Sequence, residues 1–359
     1  MAVSTTRQQI DQEYDLKGYK FATEEFFPRS LFDEITEVRV EAPDVVLAEA
    51  EGRGRRAKLT LDGKLTILAA DHPGRNVTNS EGNPIRMGDR LEYLGRVVRV
   101  MINSEVDGVM TTPDIMDDLF IVNYVYKQRG GESFLDGRVL IGSMNRGGLA
   151  GASFEMDDRF TSYSPQGLAD MRLDAGKLMF RLDLNSEDSA KTLAYSAEAV
   201  RECGELGIPI FIESLPGKFE NGKWSGSNVM EDLVKIVGVA TALGDSSTHI
   251  WLKLNYTEGY ERVARATTCP ILMLGGPSKG NPTYTLEEFE KGMKGGANIR
   301  GALCGRNILF PGDDDPQAVA RAINRIVHNG YTTLQAVQFL AQARGEKMDV
   351  LGKSKRRRR

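Results

Sequence analysis

A lysine lies inside an apolar stretch where a solvated surface lysine would normally not be placed. The stretch reads His249-Ile-Trp-Leu-Lys253-Leu-Asn-Tyr-Thr257, and its apolar character is typical of a buried parallel strand. Burial disfavours the ammonium form, and the free amine is the form that attacks a ketone to give a Schiff base. The alternative is a strand-end lysine whose ammonium reaches water while its stem lies along the protein. Lys253 is therefore a candidate covalent nucleophile.

Polar residues also lie at the ends of other apolar runs, where they could assist the chemistry of Lys253. A second ammonium about 4 Å away would destabilise the Lys253 ammonium by roughly 4 kcal/mol at an effective dielectric constant of about 20, so Lys177 could lower the pKa of Lys253. An ionised Glu213 nearby would oppose that shift, which favours a role for Glu213 in moving protons. The candidate catalytic residues are Lys253, Lys177, Glu213, Asp71 and Asp183, with His72 and Arg181 as candidate substrate contacts.

Two glycine-bearing turns in the last quarter of the chain predict a phosphate site. Gly275-Gly276 follows one apolar run and Gly305-Arg306 follows the next. Glycine amides can approach a phosphate closely and an arginine neutralises its charge. A Gly-Gly pair alone is a common turn former, but two such turns after successive strands form a more specific pattern.

These residues need a scaffold that brings several strand ends together. Short apolar runs alternate with amphipathic stretches, the pattern of a parallel sheet with helices outside it, and eight such pairs most simply close into an α/β (β/α)8 TIM barrel over residues 64–330. The runs are Leu65–Ala70, Gly108–Thr111, Val139–Gly142, Leu178–Leu184, Ile208–Glu213, Ile250–Leu254, Ile271–Leu274 and Ile299–Cys304. The predicted helices include Arg90–Asn103, Ser189–Leu206, Val229–Leu243, Leu286–Lys294 and Pro316–Val327.

The flanking segments do not follow the barrel repeat. Residues 1–63 are predicted to form an N-terminal cap, with helices on both sides of Pro28 and then a strand pair, Val45–Gly52 with Ala57–Gly63. Residues 331–359 are predicted to form a C-terminal helix, Thr332–Arg344, and a basic tail. The long Gly-, Ser- and Asp-rich interval Asn145–Leu173 is expected at the catalytic mouth.

Composition excludes several classes of protein. With 41% hydrophobic and 27% charged residues the chain is typical of a soluble globular protein. It has neither a bilayer-length apolar run of about 20 residues nor an apolar export segment near residue 1, so we predict a cytoplasmic protein. The formal charge is −4, and the six basic residues of the tail leave −10 on the remainder, which is a poor surface for nucleic acid. The three histidines and three cysteines lack metal-ligand spacing, which disfavours a metal-dependent enzyme.

The motifs together resemble the Schiff-base (class I) aldolase superfamily, which includes deoxyribose-phosphate, tagatose-bisphosphate and archaeal-type fructose-bisphosphate aldolases. The resemblance lies in Asp71-His72, in Trp251-Leu-Lys-Leu-Asn-Tyr-Thr257, in Cys269-Pro-Ile-Leu-Met-Leu-Gly-Gly276 and in Gly301-Ala-Leu-Cys-Gly-Arg-Asn-Ile308. It extends from about Leu65 to Asn329 and is strongest over the last hundred or so residues of that span.

The resemblance implies a role for each matched residue. Lys253 corresponds to the Schiff-base lysine, Asp71 to the first-strand acid, and Gly276 and Gly305-Arg306 to the phosphate loops. Lys177 and Glu213 correspond to the assisting lysine and glutamate of the tagatose-bisphosphate branch. The chain departs from the fructose-bisphosphate branch at Phe180-Arg-Leu-Asp-Leu184, where no tyrosine is available as a proton donor, so Asp183 or Glu213 would move the proton.

The predicted activity is metal-independent cleavage of a phosphorylated ketose or keto-sugar acid, with no cofactor. The first candidate substrate is 2-deoxy-5-keto-gluconate 6-phosphate of inositol breakdown, and fructose or tagatose bisphosphate is the alternative. An acyl transferase or isomerase on the same barrel is a second alternative, since a fold does not fix a reaction. The expected partners are the phosphorylated sugar and further copies of the chain, without nucleic acid or membrane. The alternative of a non-catalytic polyanion-binding protein would be supported by the basic tail alone.

Overall fold

Eight parallel strands pair side by side until the sheet closes on itself. The computed structural model describes residues 7–102, 105–146 and 148–352. The first strand pairs with both the second and the last, and the fourth pairs with the fifth, which completes the ring. The barrel strands are β1 Leu65–Ala70, β2 Gly108–Thr111, β3 Val139–Ser143, β4 Ala175–Leu182, β5 Ile210–Glu220, β7 Ile250–Asn255, β8 Ile271–Leu274 and β9 Ile299–Cys304, while β6 Lys223–Gly226 pairs antiparallel with the outer end of β5. The predicted (β/α)8 barrel is confirmed.

The strands are apolar on both faces because both faces are covered. Within β1, Leu65, Ile67 and Ala69 belong to a cluster that fills the barrel interior, whereas Leu68 and Ala70 pack with the surrounding helices. This alternation follows from the two-residue period of a strand. Inward positions near the carboxyl ends of the strands are where the polar residues of the site lie.

Helices surround the sheet. Arg90–Met101 begins at an Asp89 N-cap whose side chain accepts from the Glu92 amide, and its buried face packs against the barrel. The described part of the chain has the α-helices α1 Arg7–Glu13, α2 Thr23–Phe26, α3 Arg29–Glu41, α4 Val45–Gly52, α5 Arg90–Met101, α6 Pro113–Gln128, α7 Pro165–Asp170, α8 Asp188–Glu205, α9 Met230–Thr241, α10 Tyr260–Arg265, α11 Thr283–Met293, α12 Arg306–Leu309, α13 Pro316–Asn329 and α14 Thr333–Ala343. None of those helices is long and apolar enough to cross a membrane.

The predicted strand pair in the N-terminal segment is wrong. Val45–Gly52 is helix α4, and residues 57–63 contain no strand. Two valines suggested a strand, but the following Leu, Ala and Glu residues favour a helix. The helix packs on α6, where Glu49 accepts from Asn123 at 2.8 Å and pairs with Lys127 at 2.7 Å. The packing of α4 on α6 therefore stabilises the helix that its own residues favour.

The N-terminal segment covers the barrel only in part. Its helices lie along the outer helical layer, while the stretch after α4 crosses the end where the strands begin. There Arg53 donates to the carbonyls of Arg138 and Arg172, and Leu59 packs against the interior cluster. This stretch closes the barrel at the end opposite the candidate site.

The C-terminal helix is fixed by a capping box and by buried charge. Thr332 and Gln335 cap α14 reciprocally. Arg344, the C-cap of α14, pairs with Asp314 at 2.9 Å, and Asp315, which pairs with Arg99 at 2.6 Å, accepts from the Gly345 amide at 2.9 Å. The predicted basic tail, residues 353–359, lies outside the described residues, as does Gly147 of the long loop.

Candidate active site

Lys253 lies on the inner face of β7 and is 4% exposed. The parallel register places it directly beside Glu213 of β5, so both side chains point into the barrel. The Lys253 Nζ lies 2.9 Å from Glu213 Oε2. The lysine therefore does not reach bulk water along the strand end; it ends in a buried ion pair.

Lys177 continues this pair into a line of alternating charges. Its Nζ lies 2.7 Å from Glu213 Oε2 and 3.1 Å from Asp71 Oδ2. The order is Asp71, Lys177, Glu213, Lys253, with every member buried. One carboxylate oxygen of Glu213 therefore faces two ammonium groups. The structure brings together four of the five predicted catalytic residues.

Burial and neighbouring charges have opposing effects on the pKa values of Lys253 and Glu213. Burial lowers the pKa of Lys253, the charge of Glu213 raises it, and the charge of Lys177 lowers it again; the net direction is down. Burial would raise the pKa of Glu213, but the charges of Lys177, Lys253 and Arg75 together outweigh it and hold that pKa well below its usual range. The cluster thus combines an amine with reduced proton affinity and an ionised carboxylate in contact with it.

Asp183 lies outside this line of charges. Its Oδ2 accepts from the Phe219 amide at 2.8 Å and its Oδ1 accepts from the Asn185 amide at 2.9 Å. These bonds fasten the β5–β6 hairpin to the end of β4. Of the two acids predicted to move the proton, Glu213 contacts Lys253, whereas the Asp183 carboxylate accepts hydrogen bonds from backbone amides.

His72 is buried beside Gly305, in the turn after β9 that is predicted to bind phosphate. Its Nδ1 lies 3.3 Å from the Tyr93 hydroxyl. Burial lowers the pKa of His72 to about 3, because the opposing charge of Asp71 is outweighed when Arg306 and Arg75 add to the burial. The imidazole is therefore neutral near pH 7. A Cβ at Gly305 would lie 2.4 Å from His72 Cε1, which explains why a glycine is required there.

The two predicted phosphate turns adjoin each other. Asn307 donates to the carbonyls of both Gly275 and Gly276, which joins the turn after β8 to the turn after β9. A Cβ at Gly275 would lie 2.5 Å from Cys304 Sγ, and Gly276 has a φ of 64°. Both glycines are thus required by packing or by backbone conformation. Arg306 begins α12 beside them, partly buried, and its Nε has no partner among the described residues.

Sequence reasoning missed several charged residues at the mouth. Arg75 lies four residues after Asp71, and its Nη1 is 3.6 Å from Asp71 Oδ1. Glu155 and Asp158 come from the long loop and are buried; Glu155 pairs with Arg181 of β4. Two features of the sequence could have indicated these residues. Arg75 follows the first-strand Asp71-His72 closely, and Glu155 and Asp158 lie in the glycine-rich loop. Among the described residues no group of acids, histidines or cysteines could hold a metal ion.

Comparisons with known proteins agree with the fold and the motifs. Residues 63–327 match the Cgl0159-like family model. The crystal structure of Cgl0159 from Corynebacterium glutamicum is 36% identical, covers 84% of this chain and 97% of its own, and superposes with a TM-score of 0.77. An Archaeoglobus fulgidus 2-amino-3,7-dideoxy-D-threo-hept-6-ulosonate synthase is 23% identical over 80% of this chain and 95% of its own length. A Schiff-base-forming fructose-1,6-bisphosphate aldolase is 21% identical, covers 74% and 95% of the two chains, and has a TM-score of 0.51.

The closed sheet defines a (β/α)8 barrel, and it carries the motifs by which the sequence resembles the class I aldolases. Within that class the chain belongs to the Cgl0159-like family.

Proposed function

We propose that this protein is a metal-independent aldolase that cleaves a phosphorylated ketose or keto-sugar acid through a Schiff base on Lys253. The observation that carries the proposal is the buried Lys253 amine held 2.9 Å from the Glu213 carboxylate. A desolvated amine with a base in contact is what imine chemistry requires. The Archaeoglobus synthase, which aligns over most of the chain, and the Schiff-base-forming aldolase, which shares this barrel, support the choice of reaction.

The reaction begins when the Lys253 amine attacks the substrate ketone. The resulting carbinolamine loses water to give an iminium. Glu213 accepts the proton of the hydroxyl on the carbon that becomes the aldehyde. The carbon–carbon bond then breaks, and its electrons move into the iminium to give an enamine. Glu213 returns its proton to the enamine carbon, and addition of water to the resulting iminium releases the ketone product and restores the amine.

Lys177 serves this sequence without becoming covalent. It holds Glu213 and Asp71 at 2.7 and 3.1 Å and thereby fixes the base that faces Lys253. Its charge also lowers the pKa of Lys253. The role of Lys177 is therefore to position Glu213 and to help keep Lys253 unprotonated.

The first candidate substrate is 2-deoxy-5-keto-gluconate 6-phosphate, with fructose and tagatose bisphosphates as alternatives. The absence of a tyrosine at the end of β4 supports a substrate other than fructose bisphosphate, because Phe180 is buried among the outer apolar residues and offers no proton. Similarity to the Archaeoglobus synthase favours a second candidate, in which the enamine is passed to a different aldehyde acceptor. That reaction would require the acceptor for turnover.

Borohydride trapping tests the proposal. Reduction in the presence of dihydroxyacetone phosphate should inactivate the enzyme irreversibly and add the mass of the reduced adduct to the peptide that contains Lys253. Borohydride without substrate is the control, and chelators should leave the rate unchanged. An untrapped enzyme whose activity is abolished by chelation would refute the Schiff base.

Arg306→Ala should raise the KM for a phosphorylated ketose by about 10- to 100-fold, the loss expected for a charge-assisted contact to phosphate. The KM for the dephosphorylated ketose should not change. The matched control is Arg262→Ala on the exposed surface of α10. Equal KM values for the two substrates, with Arg306 present or absent, would contradict a phosphate site at the turns after β8 and β9.

A further inference from the structure

His328 lies between two carboxylates at the end of the barrel opposite the candidate active site. It belongs to the last turn of α13. Its Nδ1 lies 2.8 Å from Asp62 Oδ2, and its Nε2 lies 2.9 Å from Asp107 Oδ2. An ionised carboxylate can only accept hydrogen bonds, and a neutral imidazole has a single N–H. The imidazole can therefore donate to both carboxylates only as the doubly protonated imidazolium.

Asp107 is the fixed side of this contact. Its side chain is 8% exposed, and it immediately precedes β2. Its Oδ2 also accepts from the Thr66 amide of β1 at 2.8 Å, and its Oδ1 accepts from Arg56 Nη1 at 2.9 Å. Its backbone carbonyl accepts from the Val139 amide of β3 at 2.8 Å. The carboxylate that faces His328 is thus held in place by the first three strands of the barrel.

Asp62 is the mobile side of the contact because its own segment has little other support. It lies in residues 57–63, here called the closing stretch, which contain no helix or strand and lead into β1. Asp62 Oδ1 accepts from the Lys64 amide at 3.0 Å, and Lys64 Nζ donates to the Val327 carbonyl of α13 at 2.8 Å. The imidazolium of His328 therefore joins the closing stretch to the barrel through side-chain contacts.

Other charged groups around His328 leave Asp62 and Asp107 to set its charge. Arg56 uses the other oxygen of Asp107, and Arg325 of α13 pairs with Glu105 at 2.8 Å. The charged residues on the elements around the imidazole are Arg56, Asp62 and Lys64 near β1, Glu105 and Asp107 before β2, Arg138 before β3, Arg300 on β9 and Arg325 on α13. The two acids in contact with the imidazole favour its protonated form.

Burial and hydrogen bonding have opposing effects on the three groups. Burial lowers the pKa of His328, but its hydrogen bonds with Asp107 and Asp62 outweigh burial, and the net direction is up. Burial would raise the pKa of both carboxyls, but hydrogen bonds, above all those with His328, hold both below their usual values. The last turn of a helix also favours a cation. Folding therefore keeps the three groups charged together.

We propose that His328 is a pH-sensitive latch, which in its imidazolium form joins the closing stretch to Asp107 and on losing a proton releases it. Deprotonation leaves a ring nitrogen lone pair facing a carboxylate, which is a repulsive contact. Folding raises the pKa of His328 above its ordinary value of about 6.5. The stabilisation is therefore complete below a pH of about 6.5 and is lost as the pH rises through the folded-state pKa.

Heteronuclear NMR of the imidazole rings tests the protonation state directly. The chain has three histidines, so the His328→Gln spectrum assigns the His328 signals by their loss. Near a pH of about 6 both ring nitrogens of His328 should carry a proton, and the midpoint of its titration should lie above about 6.5. Asp62→Asn keeps the shape of that side chain, removes one carboxylate and should lower the midpoint. A single protonated nitrogen at the lower pH, or a midpoint that Asp62→Asn does not move, would overturn the latch.

Thermal unfolding tests whether this proton stabilises the barrel. The midpoint of His328→Gln should lie about 1 to 4 °C below that of the wild type near a pH of about 6, and the difference should shrink as the pH rises to about 9. His249→Gln, at a half-buried histidine just before β7, is the matched control, and its difference from the wild type should not depend on pH. A His328→Gln difference that is constant with pH, or that grows at high pH, would contradict the proposal. The latch does not depend on the proposed function, and borohydride trapping on Lys253 should succeed in both variants.

Discussion

Lys253→Met should lower kcat by at least about 10⁴-fold, because loss of a covalent nucleophile removes the path on which every later step depends. The variant should also give no borohydride adduct with dihydroxyacetone phosphate. Met keeps most of the side-chain volume, so the variant avoids a large cavity in the barrel. Turnover and adduct mass would be measured on the same preparation.

The variant should remain folded, which separates loss of chemistry from loss of structure. Without the Lys253 ammonium, Glu213 still has Lys177 at 2.7 Å and does not become an unpaired buried charge. Circular dichroism and the thermal midpoint should stay close to those of the wild type. Lys294→Met, at the exposed C-cap of α11, is the matched control and should retain full turnover. An adduct that maps to Lys177 would reverse the roles of the two lysines.

The barrel could be predicted because its strands have a strong local signature. Burial on both faces makes each strand a short apolar run between amphipathic helices. The predicted bounds of Leu65–Ala70, Ile271–Leu274 and Ile299–Cys304 coincide with β1, β8 and β9. Polar residues at the carboxyl ends of such runs share one mouth in any closed barrel, which is why Asp71, Glu213 and Lys253 could be grouped before their distances were known.

The remaining features depend on contacts between segments distant in sequence. The extension of β5 into a hairpin with β6 has little apolar periodicity, and it is held by Asp183 and by Trp224 against Arg181. Strand β4 begins at Ala175, before the predicted Leu178, so Lys177 lies within the strand. Its position between Asp71 and Glu213 depends on the register of three strands. A sequence pattern can place a charged residue at a strand end, but it cannot give the order of charges across the lumen.

Glu213→Gln should lower kcat by about 10²- to 10⁴-fold, the range for loss of a general base. It should also move the acidic limb of the kcat/KM profile to lower pH. The charge of Glu213 raises the pKa of Lys253, so its removal lowers that pKa, and the amine becomes free at lower pH. Gln keeps the shape of the side chain. The pH dependence of kcat/KM would be recorded with a phosphorylated substrate that saturates the enzyme.

Lys177→Met should move the same limb in the opposite direction. The charge of Lys177 lowers the pKa of Lys253, so its loss raises that pKa, and a higher pH is needed to free the amine. If the two substitutions merely disturbed packing in the lumen, both variants would lose activity and their pH profiles would not differ. The charge order Asp71, Lys177, Glu213, Lys253 instead requires their acidic limbs to shift in opposite directions. Profiles that shift together, or remain unmoved while rates fall, would show that neither charge controls the Lys253 amine.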